Sequence, residues 1–152
     1  NFFKFLFIIY VLNINILKAQ VIKPSSNIKP EQVVKIQLKG LMKNDLNYKD
    51  QGIEQTWEFA HPNNKKITGP LDNFKLLLKS DSYKMLLNHI DHQVQEVNIT
   101  DMKAAFEVTV LTEGKTYYKF RWVVEKYDRD GPLKDCWLTI GVSQPVSLGS
   151  SI

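Results

Sequence analysis

"YKMLLNHIDHQVQEVNIT", residues 83–100, contains the point at which the chain changes rhythm. Its first half belongs to a helical pattern, with Met85 and Leu86 turned inward on a short helix that Ser80 or Ser82 caps. After His89 the spacing drops to two, and Gln93, Gln95, Val97 and Ile99 share one side. Side chains repeat every 3.6 residues on a helix and every two on a strand. The chain before this point therefore reads as helix, and the chain after it as sheet.

Upstream lies "GPLDNFKLLL", residues 69–78. Gly69 fits an N-cap, Pro70 a first helical position, and Asp72 the first turn, where the helix dipole favours an acid. Leu71, Phe74, Leu77 and Leu78 then form a buried stripe. "HPNNKK", residues 61–66, reads as a connection in which asparagine side chains bond nearby backbone, with the alternative that His61, Asn63 and Asn64 line a pocket mouth. Pro62 ends a preceding helix over Asp50–Ala60, which carries Ile53, Trp57 and Ala60 on one face. A first helix opens at Pro30 with Glu31 and Gln32 in its first turn. Val34, Leu38, Leu41 and Met42 form its stripe, Val33 and Ile36 widen it, and it ends between Asn44 and Asn47.

Downstream, Phe106, Val108 and Val110 alternate with Glu107 and Thr109, and Glu113-Gly114 makes a turn. "KTYYKFRWVVEKYD" puts Tyr118, Phe120, Trp122 and Val124 on one face, with Lys119, Arg121 and Glu125 on the other. "CWLTIGVS" closes the sheet with Cys136, Leu138, Ile140 and Val142 facing one way. Helices first and consecutive antiparallel strands afterwards make an α+β domain, with the N-terminal helices packed on a four-stranded antiparallel sheet. The domain spans residues 30–144, after a polar, mobile leader over 20–29 and before a frayed tail over 145–152.

Residues 1–19 stand apart. Lys4 precedes an apolar run from Phe5 to Leu12, Asn13 and Asn15 interrupt the apolar character, and Ala19 is a small residue at a cleavage position. That is the pattern of a secretory signal peptide, and it implies an exported protein with no membrane anchor after cleavage near Ala19. A bilayer span needs about 20 mostly apolar residues, more than this run supplies. Removing Lys4 and Lys18 leaves 18 basic against 16 acidic residues, so the net charge falls from +4 to +2. Such a charge is no footprint for nucleic acid. Cys136 is the only cysteine, which excludes an internal disulfide, and beside Trp137 and Leu138 it reads as a small buried thiol.

Five phrases carry a resemblance over about Pro30 to Val142: "PEQVVKIQLKGLMKND", "GIEQTWEFAHPNNKKITGPLDNF", "YKMLLNH", "YKFRWVVEK" and "GPLKDCWLTIGV". They are similar to the domain of unknown function 4864 family. The resemblance implies a nuclear-transport-factor-like cone, in which a curved antiparallel sheet wraps around helices and can leave a pocket. It implies no catalytic residues, because none are assigned in that family.

In such a cone the candidate pocket residues are Trp57, His61, Asn63, Tyr83, His89, Arg121 and Trp137. Each couples an aromatic or apolar body to a polar group, or supplies the polar group that fixes a ligand. Trp57, Tyr83 and Trp137 each need a partner for an N–H or O–H. His89 and His92 are three apart around Asp91, a tempting metal pair, yet no third ligand lies near and the helix-to-strand change secures neither geometry. Asn98-Ile99-Thr100 matches the glycosylation pattern, and it lies in an expected strand.

No phosphate-binding loop, nucleophile–base set or calcium loop is present, and no cofactor is indicated. The leading expectation is a non-catalytic domain that binds a small apolar or amphipathic molecule or a partner protein. A small isomerase- or hydrolase-like enzyme would use His61 or Asp72 as its acid–base group. A dimeric scaffold would associate through the outer sheet face at Arg121, Val123 and Tyr127.

Overall fold

The computed structural model describes residues 20–150. Helix α1 (Pro30–Met42) is followed by α2 (Gln51–Glu58), α3 (Pro62–Thr68), α4 (Leu71–Leu78) and a 3-10 turn over Lys84–Leu86. Strands β1 (Asp91–Ile99), β2 (Lys103–Leu111), β3 (Thr116–Lys126), β4 (Trp137–Val142) and β5 (Val146–Ser150) complete the chain. The fold is α+β, helices first and an antiparallel sheet second, with the change falling between Leu86 and Asp91.

Pro30 starts α1 because its missing N–H would be unpaired there in any case. The Gln32 side chain reaches back to the Lys29 N–H at 2.9 Å, which ties down the entry. Val33, Val34, Gln37, Leu38 and Leu41 are all buried, and α1 packs against β1, β3 and β4. Opposite them stand Phe106, Val108, Val110, Phe120, Trp122 and Val124, each at most 1% exposed. Full burial of one such side chain is worth about 1.5–3 kcal/mol, so this layer is the main source of stability. Helix α2 packs on α1 so closely that a Cβ on Gly52 would fall 2.0 Å from the Gly40 carbonyl oxygen. Only glycine fits at that crossing.

β1, β2 and β3 pair in sequence order, with Val94 opposite Val108 and Phe106 opposite Trp122. β4 pairs with Trp122–Lys126 of β3, and β5 with Thr116–Lys119 of the same strand. The expected frayed tail is thus a fifth strand over most of its length. β3 has eleven residues and β4 only six. The unpaired half of β3 needs another partner for its backbone, and the tail supplies it.

Three other expectations are refined. "HPNNKK" holds the start of α3 and is not an open loop, because Pro62 both stops α2 and starts α3. Gly69 is the C-cap of α3 and Pro70 the N-cap of α4, one position from the expected start. In β4 an extra residue, Ile140, breaks the simple alternation. Thr139 and Val142 therefore stand opposite Val124 and Trp122, on the side of the helices. The leader has no helix or strand, yet Ile22 exchanges two backbone hydrogen bonds with the Gln55 side chain, at 2.7 and 2.9 Å.

Candidate functional site

Gln37 organises the interior. It sits on the buried stripe of α1, one turn from Val34 and Leu41. Its Oε1 accepts the Trp122 indole N–H at 2.9 Å and the Thr139 hydroxyl at 2.6 Å. Its Nε2 donates to the Thr56 carbonyl at 3.1 Å. One amide thus joins α1, α2, β3 and β4, and it is 1% exposed. A buried amide with its bonds made costs little, whereas an unpaired one costs about 1–3 kcal/mol.

Beside this amide the helices and the sheet do not close fully. A cavity of about 150 Å³ remains, lined by Leu41, Phe74, Leu77, Leu78, Leu86, Trp122 and Val142. Gln37, Thr56, Asn64, Thr68, Tyr83 and Thr139 add polar atoms to the same wall. Among the described residues, no aspartate, glutamate, histidine, lysine or arginine lines it. The described wall is thus a mixture of apolar and neutral polar side chains.

Of the seven sequence candidates, Tyr83 lines this cavity. Its ring stacks on Phe120, and its hydroxyl donates to the Val142 carbonyl at 3.0 Å. Burial raises its pKa, which keeps the phenol neutral. The other six serve elsewhere. Trp57 packs against Phe74 with ring centroids 5.1 Å apart, and Lys65 Nζ lies 5.2 Å above its ring. His61 caps α3, its Nδ1 accepting the Asn63 N–H at 3.0 Å, with Tyr127 against its edge. Burial pushes the pKa of His61 below the usual histidine value, with Arg129 adding to the fall and Glu125 and Asp128 opposing it. Asn63 takes part through its backbone; its neighbour Asn64 is the one that reaches the cavity wall.

Trp137 opens β4, with Lys126 Nζ 5.6 Å from its ring. Arg121 is exposed, since it alternates with the buried Phe120 and Trp122. His89 Nδ1 meets the Leu86 carbonyl at 2.7 Å, and its Nε2 meets His92 Nδ1 at 2.7 Å. The carbonyl can only accept, so His89 Nδ1 carries a hydrogen. In the neutral pair, His92 Nδ1–H then donates to His89 Nε2. The two rings satisfy each other, and among the described residues no group of three metal-ligating side chains forms. The acid–base suspects, His61 and Asp72, are both absent from the cavity wall, and Asp72 is exposed.

Sequence reading missed Gln37, Thr56, Thr68 and Thr139. A signal existed for Gln37, a polar residue inside an apolar helical stripe. For the others none existed, because their convergence depends on how α2, α3 and β4 meet. What the fold and the cavity define is an α+β domain with a small uncharged chamber between its helical layer and its antiparallel sheet. No protein-family model, curated protein or solved structure matches the chain.

Proposed function

We propose that the protein is an exported, non-catalytic domain that binds a small uncharged molecule in the cavity beside Gln37. The observation that carries this reading is the wall itself: among the described residues it holds seven large apolar side chains, six polar ones and no ionised group. An apolar cavity of roughly this size holds a benzene-sized molecule. A charged ligand would lose its hydration without gaining a counter-ion, which costs several kcal/mol or more. Acid–base catalysis would need a titrating group within hydrogen-bond reach of the ligand. Among the described residues the only one on the wall is Tyr83, whose pKa is raised.

The finer fold reading, a nuclear-transport-factor-like cone, is supported by three irregularities. Extra residues at Val97, Ile140 and Leu148 interrupt the registers of β1, β4 and β5. Such bulges bend and twist a strand, as a sheet wrapping around helices requires. Export is supported by the signal-like pattern of residues 1–19, which lie outside the described residues. The N-terminal sequence of the secreted protein would check it, with Gln20 as the expected first residue.

Binding is tested by titrating small neutral molecules into the protein beginning at Gln20 while following the Trp122 indole N–H by NMR. Saturable shifts of that resonance are expected, because Trp122 lines the cavity. A resonance that stays still across a broad set of neutral fragments would end the reading.

A further inference from the structure

The hydroxyl hydrogens around the cavity are already committed, and this narrows the ligand. The indole of Trp122 can only donate, so the Gln37 atom facing it is the amide oxygen. Thr139 reaches that same oxygen and must donate its hydroxyl hydrogen there. Tyr83 donates to the Val142 carbonyl, Thr56 to the Gly52 carbonyl at 2.9 Å, and Thr68 to the Asn64 carbonyl at 2.9 Å. A carbonyl oxygen has no hydrogen to offer in return. All four hydroxyls on the wall therefore point their hydrogens at protein oxygens and keep lone pairs available. Against them stand two amides, Gln37, with one N–H already given to Thr56, and Asn64, whose side chain has no partner among the described residues.

Resting on the binding reading above, we infer that the cavity selects a small neutral ligand that donates a hydrogen bond, an alcohol or a phenol, over the ketone or ether of the same shape. An apolar ring or short chain would lie against Leu41, Leu78, Leu86 and Trp122, and its hydroxyl hydrogen would meet a threonine or tyrosine oxygen. A ketone of equal size offers only lone pairs, and so do the four hydroxyls of the wall. It must find an amide N–H or leave its oxygen unpaired, and an unpaired buried acceptor weakens binding.

The test uses cyclohexanol and cyclohexanone, matched in heavy-atom count and shape, titrated against the protein beginning at Gln20 and read on the Trp122 indole N–H. Cyclohexanol is expected to bind about fivefold tighter, the worth of one net hydrogen bond. Equal or reversed affinities would overturn the inference while leaving the cavity a binding site. If neither probe binds, the binding reading and this inference fail together. Four conservative variants, Tyr83→Phe, Thr56→Val, Thr68→Val and Thr139→Val, then locate the acceptor. At least one folded variant should lose the preference for the alcohol while still binding the ketone. A preference unchanged in all four would also overturn the inference.

Discussion

Trp122 on β3 and Gln37 on α1, 85 residues apart, are joined by a 2.9 Å hydrogen bond in the middle of the helix–sheet interface. The same Gln37 oxygen takes the Thr139 hydroxyl, so three elements depend on one atom. Gln37→Leu keeps much of the bulk and strands two donors. Unfolding in urea should show a loss of about 2–4 kcal/mol. Thr139→Val, which leaves the Trp122 bond in place, should cost about 1 kcal/mol. A Gln37→Leu protein as stable as the parent would show that the amide does not hold the layers together.

Gly69 is required by space. A Cβ there would fall 2.5 Å from both the Lys65 carbonyl oxygen and the edge of the Trp57 ring. Gly69→Ala must push α3 or Trp57 aside, at a cost of about 1–3 kcal/mol. Gly114→Ala is the control, because its nearest new contact is Thr112 Oγ1 at 3.7 Å. Thermal melts should separate the two by several degrees.

The His89–His92 pair makes stability depend on pH. Both pKa values lie below the usual 6.5, mainly through burial. The Leu86 carbonyl and Asp91 oppose the fall for His89, and Asp91 does so for His92. His92 lowers His89 further, and Lys35 on α1 lowers His92. Just below pH 6.5 the unfolded chain therefore binds more protons than the folded one. The contribution is complete above 6.5 and is lost as the pH falls from there toward the folded values. His61 adds the same sign. Denaturation midpoints should drop between neutral and mildly acidic buffer, and His92→Gln should flatten that profile. A profile level below pH 6.5 would rule the pair out as its source.

β5 should be needed for the integrity of β3. Ending the chain at Ser143 removes the partner of Thr116–Lys119 and exposes a strand edge beside Tyr117. Open edges invite pairing between molecules. The shortened protein should melt earlier and run larger on size exclusion at high concentration. A monomer of unchanged melting temperature would show that β5 contributes nothing.

Much of the architecture was legible in the residues. The stripe from Val33 to Leu41 and the alternation from Phe106 to Val124 specify which faces are buried, because each pattern matches the period of one backbone geometry and no other. Pro30 marks a helix start by removing an N–H that a first turn does not need, and Pro62 marks the end of the helix before it. Buried Cys136 followed from its neighbours. The tail was not legible, since Val146–Ser150 becomes a strand only because β4 leaves half of β3 unpaired.

The cavity lay beyond the sequence for the same reason. Periodicity reports which side of an element is apolar, and so it settled the order of helices and strands and the composition of the core. It carries no information on whether two apolar faces fill the space between them. That depended on the bulge at Ile140, on the start of α3 within "HPNNKK", and on the turn that brings Tyr83 to Val142. These contacts join residues far apart in the chain, and only the packed molecule brings their polar atoms to one wall.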